Sequence, residues 1–559
     1  MNHIELFAGC GGLTLGLESV GFQLVFANEL SAMAGETFAY NFFQENLADT
    51  LSGKIPLKTK WLSSNYPLAD LNKRLRENPR TYPSLNKGFS EVYSVEDFKG
   101  GLIIGSIVQL NEWLEQHQEQ LEILKKSFGQ GELDLVSGGP PCQSFSMAGM
   151  RQLTNERNTL PWEFVKFVKY LQPKAVLLEN VSGILKPFKT DGRSYYAWFE
   201  VAKAFMSIDY IPLCLHINAK YVGVAQNRPR FIMLALRQDV YFNLKPHFNT
   251  LEQALFAQSE SCHEKLKNKQ MFNYSELKYF DIEKSEQQIY FNHTFLKELV
   301  CCKNNLHTVS DAIDDLRVNA EITIVKSSYV KKINKLLLND NNNILKNHEL
   351  RSNGLLVKSR FRLYQILNQV DRRLLNEVKQ VLKGELNQLS NQVALELLNF
   401  EYLAENGSGL IKFKSKNELE SYLTKHQTKK QTQKALIADK PAPAAMSIAD
   451  DICHYHPEEL RTLTVREMAR IQSFPDNFVF RSKITTGGKM RQFEVPQYTQ
   501  VGNAVPPLLG AALGKVITEL LNKNNTNKIE LPNDVETRVT NEVCTNHQQL
   551  DIFKQKYRA

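Results

Sequence analysis

A short apolar-rich run at residues 3–8 ends in Gly9-Cys10-Gly11-Gly12, and this junction of strand and glycine turn narrows the fold more than any other feature of the chain. Leu13, Leu15, Leu17 and Val20 then predict a short helix ending at Gly21, and residues 22–28 predict a second strand. Strand, glycine loop, helix, strand is the opening of a doubly wound α/β sheet. The rhythm returns where Asp134-Leu135-Val136 enters Gly138-Gly139-Pro140-Pro141, and where Ala175-Val176-Leu177-Leu178 enters Glu179-Asn180-Val181. Each run is short and apolar, with polar or turn residues at its C-terminal end.

Between these runs, residues 50–100 are rich in Lys, Asn, Pro and Ser and read as an excursion inserted into the sheet. From about 238 to 445 the α/β rhythm gives way to Asn- and Lys-rich helical segments, which end at Pro441-Ala442-Pro443, a linker. Thr464-Val465-Arg466-Glu467 fits a capping box, Leu463 and Met468 fit a hydrophobic staple, and Pro475 stops the helix. After Gly502-Asn503-Ala504-Val505-Pro506, an apolar stripe from Leu508 to Leu521 marks a core-facing helix, and the tail beyond is polar.

A chain of 559 residues has room for more than one core. Its 42% hydrophobic and 23% charged residues include no apolar run near the roughly 18 that a membrane span needs, and the N-terminus lacks the pattern of an export signal. Eight cysteines without a Cys-x-x-Cys pair suit reduced thiols in a cytoplasm better than a disulfide or zinc framework. The net charge of +8 permits a nucleic-acid partner without demanding one.

Gly9, Gly11 and Gly12 let backbone pass close to a ligand, but Thr14 stands where a dinucleotide fingerprint has its third glycine. Glu29, at the end of the next strand, can accept both hydroxyls of a ribose. Together they favour an adenosyl cofactor, with adenosylmethionine and the dinucleotides both open; a tight turn beside a solvated Glu is the plainer reading. The stretch Gly138 to Phe145 says more, because paired glycines and paired prolines hold Cys142 rigidly at a strand end, as suits a nucleophile. Cytosine C5 is inert towards electrophiles until a nucleophile adds at C6. Glu179, at a neighbouring strand end, can protonate or hydrogen-bond cytosine N3 and its amine, a role that a raised carboxyl pKa would serve. Gln226-Asn227-Arg228-Pro229-Arg230 puts two guanidinium groups on alternate positions, where one strand face can present both.

These blocks resemble the cytosine-5 DNA methyltransferases, chiefly bacterial enzymes of restriction-modification systems. The matching blocks occur in family order: Phe7 to Gly12, Glu29, Pro140-Pro141-Cys142, Glu179-Asn180-Val181, Gln226 to Arg230, Arg461 to Phe478, and Gly502 to Val505. The resemblance covers roughly 1–49, 101–237 and 446–522. It implies a Rossmann-like methyltransferase sheet dependent on S-adenosylmethionine, with a separate smaller target recognition domain. Residues 1–237 would be the first part of the catalytic domain, 238–445 the recognition domain, 446–522 the closing part, and 523–559 a polar tail. Phe7, Gly9, Gly11, Leu13, Glu29, Pro140, Leu160 and Asn503 would contact the cofactor; Cys142 would be the nucleophile, and Glu179, Arg228 and Arg230 would complete the base pocket. Arg466, Glu467 and Arg470 resemble a structural helix beside the recognition domain.

Two departures stand out: Gly105-Ser106-Ile107 lacks the family's usual Asp for the adenine, and Ala225 replaces a common proline. Arg360, Phe361, Arg362, Lys429 and Lys430 are candidates for DNA contact, with a solvated charge or a core aromatic as the commoner role for such residues. The expected substrate is double-stranded DNA, with tRNA as the alternative for the same chemistry and a silent DNA-binding scaffold as a third reading. No metal is required, a monomer suffices, and any cognate restriction endonuclease would be a separate polypeptide.

Overall fold

The apolar runs of the first half of the chain become neighbouring strands of one sheet. The computed structural model describes residues 1–49, 56–141, 159–190, 193–318, 326–337, 345–428, 433–444 and 451–523. Its sheet strands are β1 (Asn2–Leu6), β2 (Gln23–Glu29), β3 (Thr59–Trp61), β4 (Gly101–Ile104), β5 (Leu135–Gly138), β6 (Ala175–Val181), β7 (Tyr210–Asn218), β8 (Pro229–Arg237) and β9 (Phe280–Asp281). They lie in the order β3-β4-β2-β1-β5-β6-β8-β7-β9. The strands from β3 to β6 are mutually parallel, and β8 runs antiparallel between β6 and β7. The chain works outward from β1 through β2 to β4, then returns to β1's other side as β5. The topological switch therefore lies between β1 and β5, where the C-terminal strand ends open a crevice.

Both faces of the sheet are apolar, because strands covered on both sides read as continuous hydrophobic runs. Along β8, Ile232, Leu234 and Leu236 join one core while Phe231, Met233 and Ala235 join the other. Helix α1 (Gly12–Glu18) and helix α2 (Ala32–Phe43) follow β1 and β2, α3 (Ile107–Gln116) follows β4, and α4 (Leu160–Leu171) and α5 (Ala197–Met206) cover the second face. The first face is closed by segments distant in sequence, including α6 (Thr250–Lys267).

A separate apolar cluster runs from Leu363 to Leu423, built from α7 (Leu355–Leu367), α8 (Leu375–Lys383), α9 (Asn391–Leu397) and α10 (Lys416–Lys425). Tyr241, Phe256, Phe295, Val309 and Tyr329 belong instead to the sheet's first-face core, so the boundary expected at 238 falls inside that core. Three helices close the fold: α11 (Val465–Ile471), α12 (Gln497–Asn503) and α13 (Pro507–Leu521). The capping box at Thr464 is formed, with Leu463 and Met468 both buried. Helix α13 packs on α1 so tightly that a Cβ on Gly16 would lie 2.4 Å from the Pro507 oxygen.

The excursion expected over residues 50–100 is corrected in its described part: it contributes the edge strand β3, paired parallel to β4, and buries Trp61, Val92, Val95 and Phe98. Its weak periodicity reflects short elements held by polar side chains; fully buried Arg74, for example, donates to the Tyr66 carbonyl and to Glu91. No single helix among the described residues is long and apolar enough to cross a membrane.

Candidate active site

The turn after β1 takes left-handed backbone at Phe7, Gly9 and Gly11, with φ of 56°, 58° and 91°. Among the described residues, a Cβ on Gly9 would meet nothing within 4 Å, so none of them packs against this part of the turn. Gly11 and Gly12 are glycines for a different reason: a Cβ on Gly11 would lie 2.3 Å from the Phe42 ring, and one on Gly12 would lie 2.2 Å from the Val505 oxygen. Thr14, in place of a third glycine, donates its hydroxyl to the buried Glu5 carboxyl, whose pKa burial pushes up to about 8.

Glu29 lies at the end of β2, each oxygen held by backbone: Gly9 N–H donates to Oε2 at 2.8 Å and Ser31 N–H to Oε1 at 2.8 Å. Burial raises its pKa against the pull of these bonds. Phe7 stacks on Phe164 of α4, and Leu160 begins the same helix. Asn503 is exposed at the end of α12, whereas the Leu13 side chain is buried in the core beneath α1, leaving only its backbone for a ligand.

At the end of β5, Gly138 passes so close to β1 that a Cβ would lie 2.5 Å from the Leu6 oxygen. Asn180 Nδ2 donates to the Pro140 carbonyl at 3.0 Å, which ties the proline turn to β6. Glu179 reaches the same turn: its Oε2 lies 3.0 Å from the Cβ position of Gly139. Arg230 Nε sits 2.6 Å from Glu179 Oε1, with only 10% and 13% of the two side chains exposed. Cys142 falls outside the described residues.

Arg228 goes elsewhere, and the expectation that one strand face presents both guanidinium groups, to a base carbonyl and a phosphate, is corrected. The pairing of β8 begins at Pro229, so Arg228 lies on the approach to the strand, and its Nη2 donates to the carbonyls of Gly502 and Ala504, each at 2.9 Å. Its pKa lies well below the ordinary arginine value because of burial and then the like charge of Arg230. Arg228 thus braces the loop that carries Asn503. The approach to it is pinned as well: Ala442 N–H donates to the Ala225 carbonyl at 2.9 Å and Asn227 N–H to the Ala442 carbonyl at 2.7 Å. The stretch read as a linker is therefore a strap along the Gln226–Arg230 segment. Proline before Gln226 was not needed for rigidity here, because this pairing supplies it. Sequence reasoning missed the strap, although Pro-Ala-Pro demands extended backbone.

The structural-helix residues lie inside the fold. Arg466 donates to the carbonyls of Lys346, Pro475 and Phe478, and Arg461 grips Glu467 with two bonds of 2.7 and 2.8 Å. The candidate DNA contacts in α7 are corrected: Arg360 donates to the carbonyls of His426 and Gln427, Arg362 to that of Glu401, and Phe361 is buried against Tyr364 and Cys453. These side chains hold their own domain together. Lys429 and Lys430 lie outside the described residues.

A mostly parallel sheet with its switch between β1 and β5, a backbone-held carboxyl at the end of β2 and a proline turn beside an Arg–Glu pair define a doubly wound α/β protein with polar groups gathered at the strand ends. Comparison with known proteins gives its family: a sequence model of the C-5 cytosine-specific DNA methylases matches residues 1–61 and 109–519, and the chain belongs to that family. It is 25% identical over 519 residues to the type II methyltransferase M.DdeI of Desulfomicrobium norvegicum, covering 93% of this chain and 88% of that protein. It is 24% identical over 536 residues to the type II methyltransferase M1.HphI of Haemophilus parahaemolyticus, covering 94% and 88% of the two. Among solved structures, a putative prophage-encoded DNA modification methyltransferase (E. coli) aligns with a TM-score of 0.42 at 19% identity, over 93% of this chain and 99% of that one.

Proposed function

We propose that the chain methylates C5 of cytosine within a specific double-stranded DNA sequence, using S-adenosylmethionine, through a covalent bond between Cys142 and C6 of a flipped-out base. The observation that carries this reading is the Glu179–Arg230 pair, closed at 2.6 Å beside the proline turn that leads to the thiol.

The cofactor, when bound, supplies an electrophilic methyl group. Its fit rests on the Gly9 turn, which no described residue covers, and on the fixed Glu29 carboxylate, which is placed to accept ribose hydroxyls. On the base side, Glu179 engages cytosine N3 and the exocyclic amine while Arg230 meets the base carbonyl and orients the carboxyl. The Cys142 thiolate gives its electron pair to C6, and C5 becomes nucleophilic. With the cofactor bound, C5 would accept its methyl group as the sulfonium S–CH3 bond breaks and leaves the neutral thioether S-adenosylhomocysteine; water would then remove the C5 proton, and β-elimination would break the C6–S bond, return the thiolate and release the DNA. Arg228 is a positioning residue, holding the Asn503 loop against the approach to β8.

The α7–α10 unit reads base sequence in the major groove and holds the duplex while the cytosine leaves the stack, at a cost of a few kcal/mol. One site per chain suits a monomer in the cytoplasm. The type II naming of the relatives supports a role as the modification enzyme paired with a separately encoded endonuclease. Cys142→Ser is expected to abolish transfer of labelled methyl to duplex DNA and to prevent trapping on 5-fluorocytosine DNA, while affinity for S-adenosylhomocysteine stays within a few-fold. Retained turnover would refute the assigned nucleophile, and methylation of tRNA in place of DNA would refute the substrate.

A further inference from the structure

Residues 62–93 lie outside the two stretches that match the family model, yet they meet the C-terminal ends of β2 and β4: at the start of the segment, Leu62 N–H donates to the Ile104 carbonyl at 2.9 Å. Tyr82 donates its hydroxyl to the Leu30 carbonyl at 3.2 Å, one residue beyond Glu29. The next residue is clamped from both sides, since Ser63 Oγ and Gln109 Nε2 donate to the Pro83 carbonyl at 2.9 and 2.7 Å. Burial raises the Tyr82 pKa, and the charges of Glu77 and Glu29 add to it. On the other side of this rim no carboxylate follows β4, and Ser106 already uses its hydroxyl to accept the Val108 N–H at 3.2 Å. The nucleoside side of the crevice is thus bounded by a segment of this chain's own.

We propose that residues 62–93 form the outer wall of the cofactor's nucleoside pocket and that Tyr82 is the wall's contact with the purine. This rests on the cofactor reading above. The Leu30 hydrogen bond fixes the end of the Tyr82 ring at the edge of β2, where a purine attached to a ribose held by Glu29 would lie. An aromatic face is well suited to a purine, and base–aromatic contacts are lost at a cost of about tenfold in affinity when the ring is removed.

The test is calorimetric binding of S-adenosylhomocysteine and of adenosine to the full chain, compared among wild type, Tyr82→Ala and Tyr82→Phe. Tyr82→Ala is expected to weaken both ligands about tenfold, while Tyr82→Phe, which keeps the ring, stays within about threefold. In a second measurement that needs no variant, S-adenosylhomocysteine is expected to slow hydroxyl-radical oxidation of the Tyr82 ring in the wild type, read by mass spectrometry. Wild-type affinity retained by Tyr82→Ala, or ring oxidation of Tyr82 indifferent to ligand, overturns the inference and leaves the cofactor reading intact. Failure of the wild type to bind S-adenosylhomocysteine overturns the cofactor reading itself, and this inference with it.

Discussion

Replacing Glu467 by glutamine keeps the side chain's shape and removes its charge, which isolates the electrostatic part of what holds α11 in place. The carboxylate is fully buried and accepts three bonds: from Thr464 N–H at 2.8 Å and Arg461 Nη1 at 2.8 Å on one oxygen, and from Arg461 Nη2 at 2.7 Å on the other. A glutamine can keep its oxygen towards Thr464, but then its NH2 faces the Nη2 donor and that bond is lost. Stripping one partner from a buried ion pair costs about 3–5 kcal/mol. Arg461 retains Glu459 at 2.6 Å from its Nε, so the lower end applies and about 3 kcal/mol is expected. Glu467→Ala also loses the cap on Thr464 N–H, which adds about 1 kcal/mol.

Burial alone would push the Glu467 carboxyl up, but the hydrogen bonds and charge of Arg461 outweigh it and leave the pKa below its ordinary value. A depressed folded pKa contributes stability that is present above the unfolded value, about 4.3, and is lost as pH falls through the folded pKa. The gap between wild type and Glu467→Gln should therefore be flat from pH 8 to 5 and shrink in more acidic solution. The assay is urea denaturation followed by circular dichroism, read on the first transition because the chain has more than one core. A difference below about 0.5 kcal/mol at pH 7, or one that grows on acidification, would refute the reasoning.

Gly16→Ala drives a methyl group into the backbone of Pro507, Gly510 and Ala511, at 2.4, 2.7 and 2.6 Å, so α13 must lift off α1. A loss of about 2 kcal/mol is expected by thermal melting, against which the helix propensity of alanine recovers under 1 kcal/mol. Ala442→Pro deletes the N–H that donates to the Ala225 carbonyl and frees the approach to Arg228 and Arg230. It should lower kcat for DNA methylation about tenfold with S-adenosylhomocysteine affinity unchanged, whereas Ala442→Gly, which keeps the N–H, should match wild type; equal kcat for all three would exclude the strap from catalysis.

The central strands were legible because each strand end carries its own signal: a glycine turn after Leu6, paired prolines after Gly138, Glu-Asn after Leu178. The capping box at Thr464 was legible for the same reason, being complete within four consecutive residues. What stayed hidden are contacts whose partners lie far along the chain. Arg228 reads as a free cation in sequence, yet its acceptors are carbonyls at 502 and 504, and backbone oxygen leaves no trace in residue identity. Arg360 and Arg362 misled in the same way. The segment from Tyr241 to Ile333 shows that an apolar face is buried but not against what, and so its membership of the sheet's core could not be read.

The fit of α13 against α1 has a consequence for how the protein comes into being. Helix α1 is translated well before the surface that shields Leu13 and Leu17, which follows the entire α7–α10 unit. Until then the nascent chain shows water an uncovered apolar stripe, and the Asn503 loop that Arg228 braces does not yet exist. A chain made only as far as α10 therefore has the proline turn after β5 without the carbonyls that Arg228 holds, and the first-face core stays open until α13 has been made.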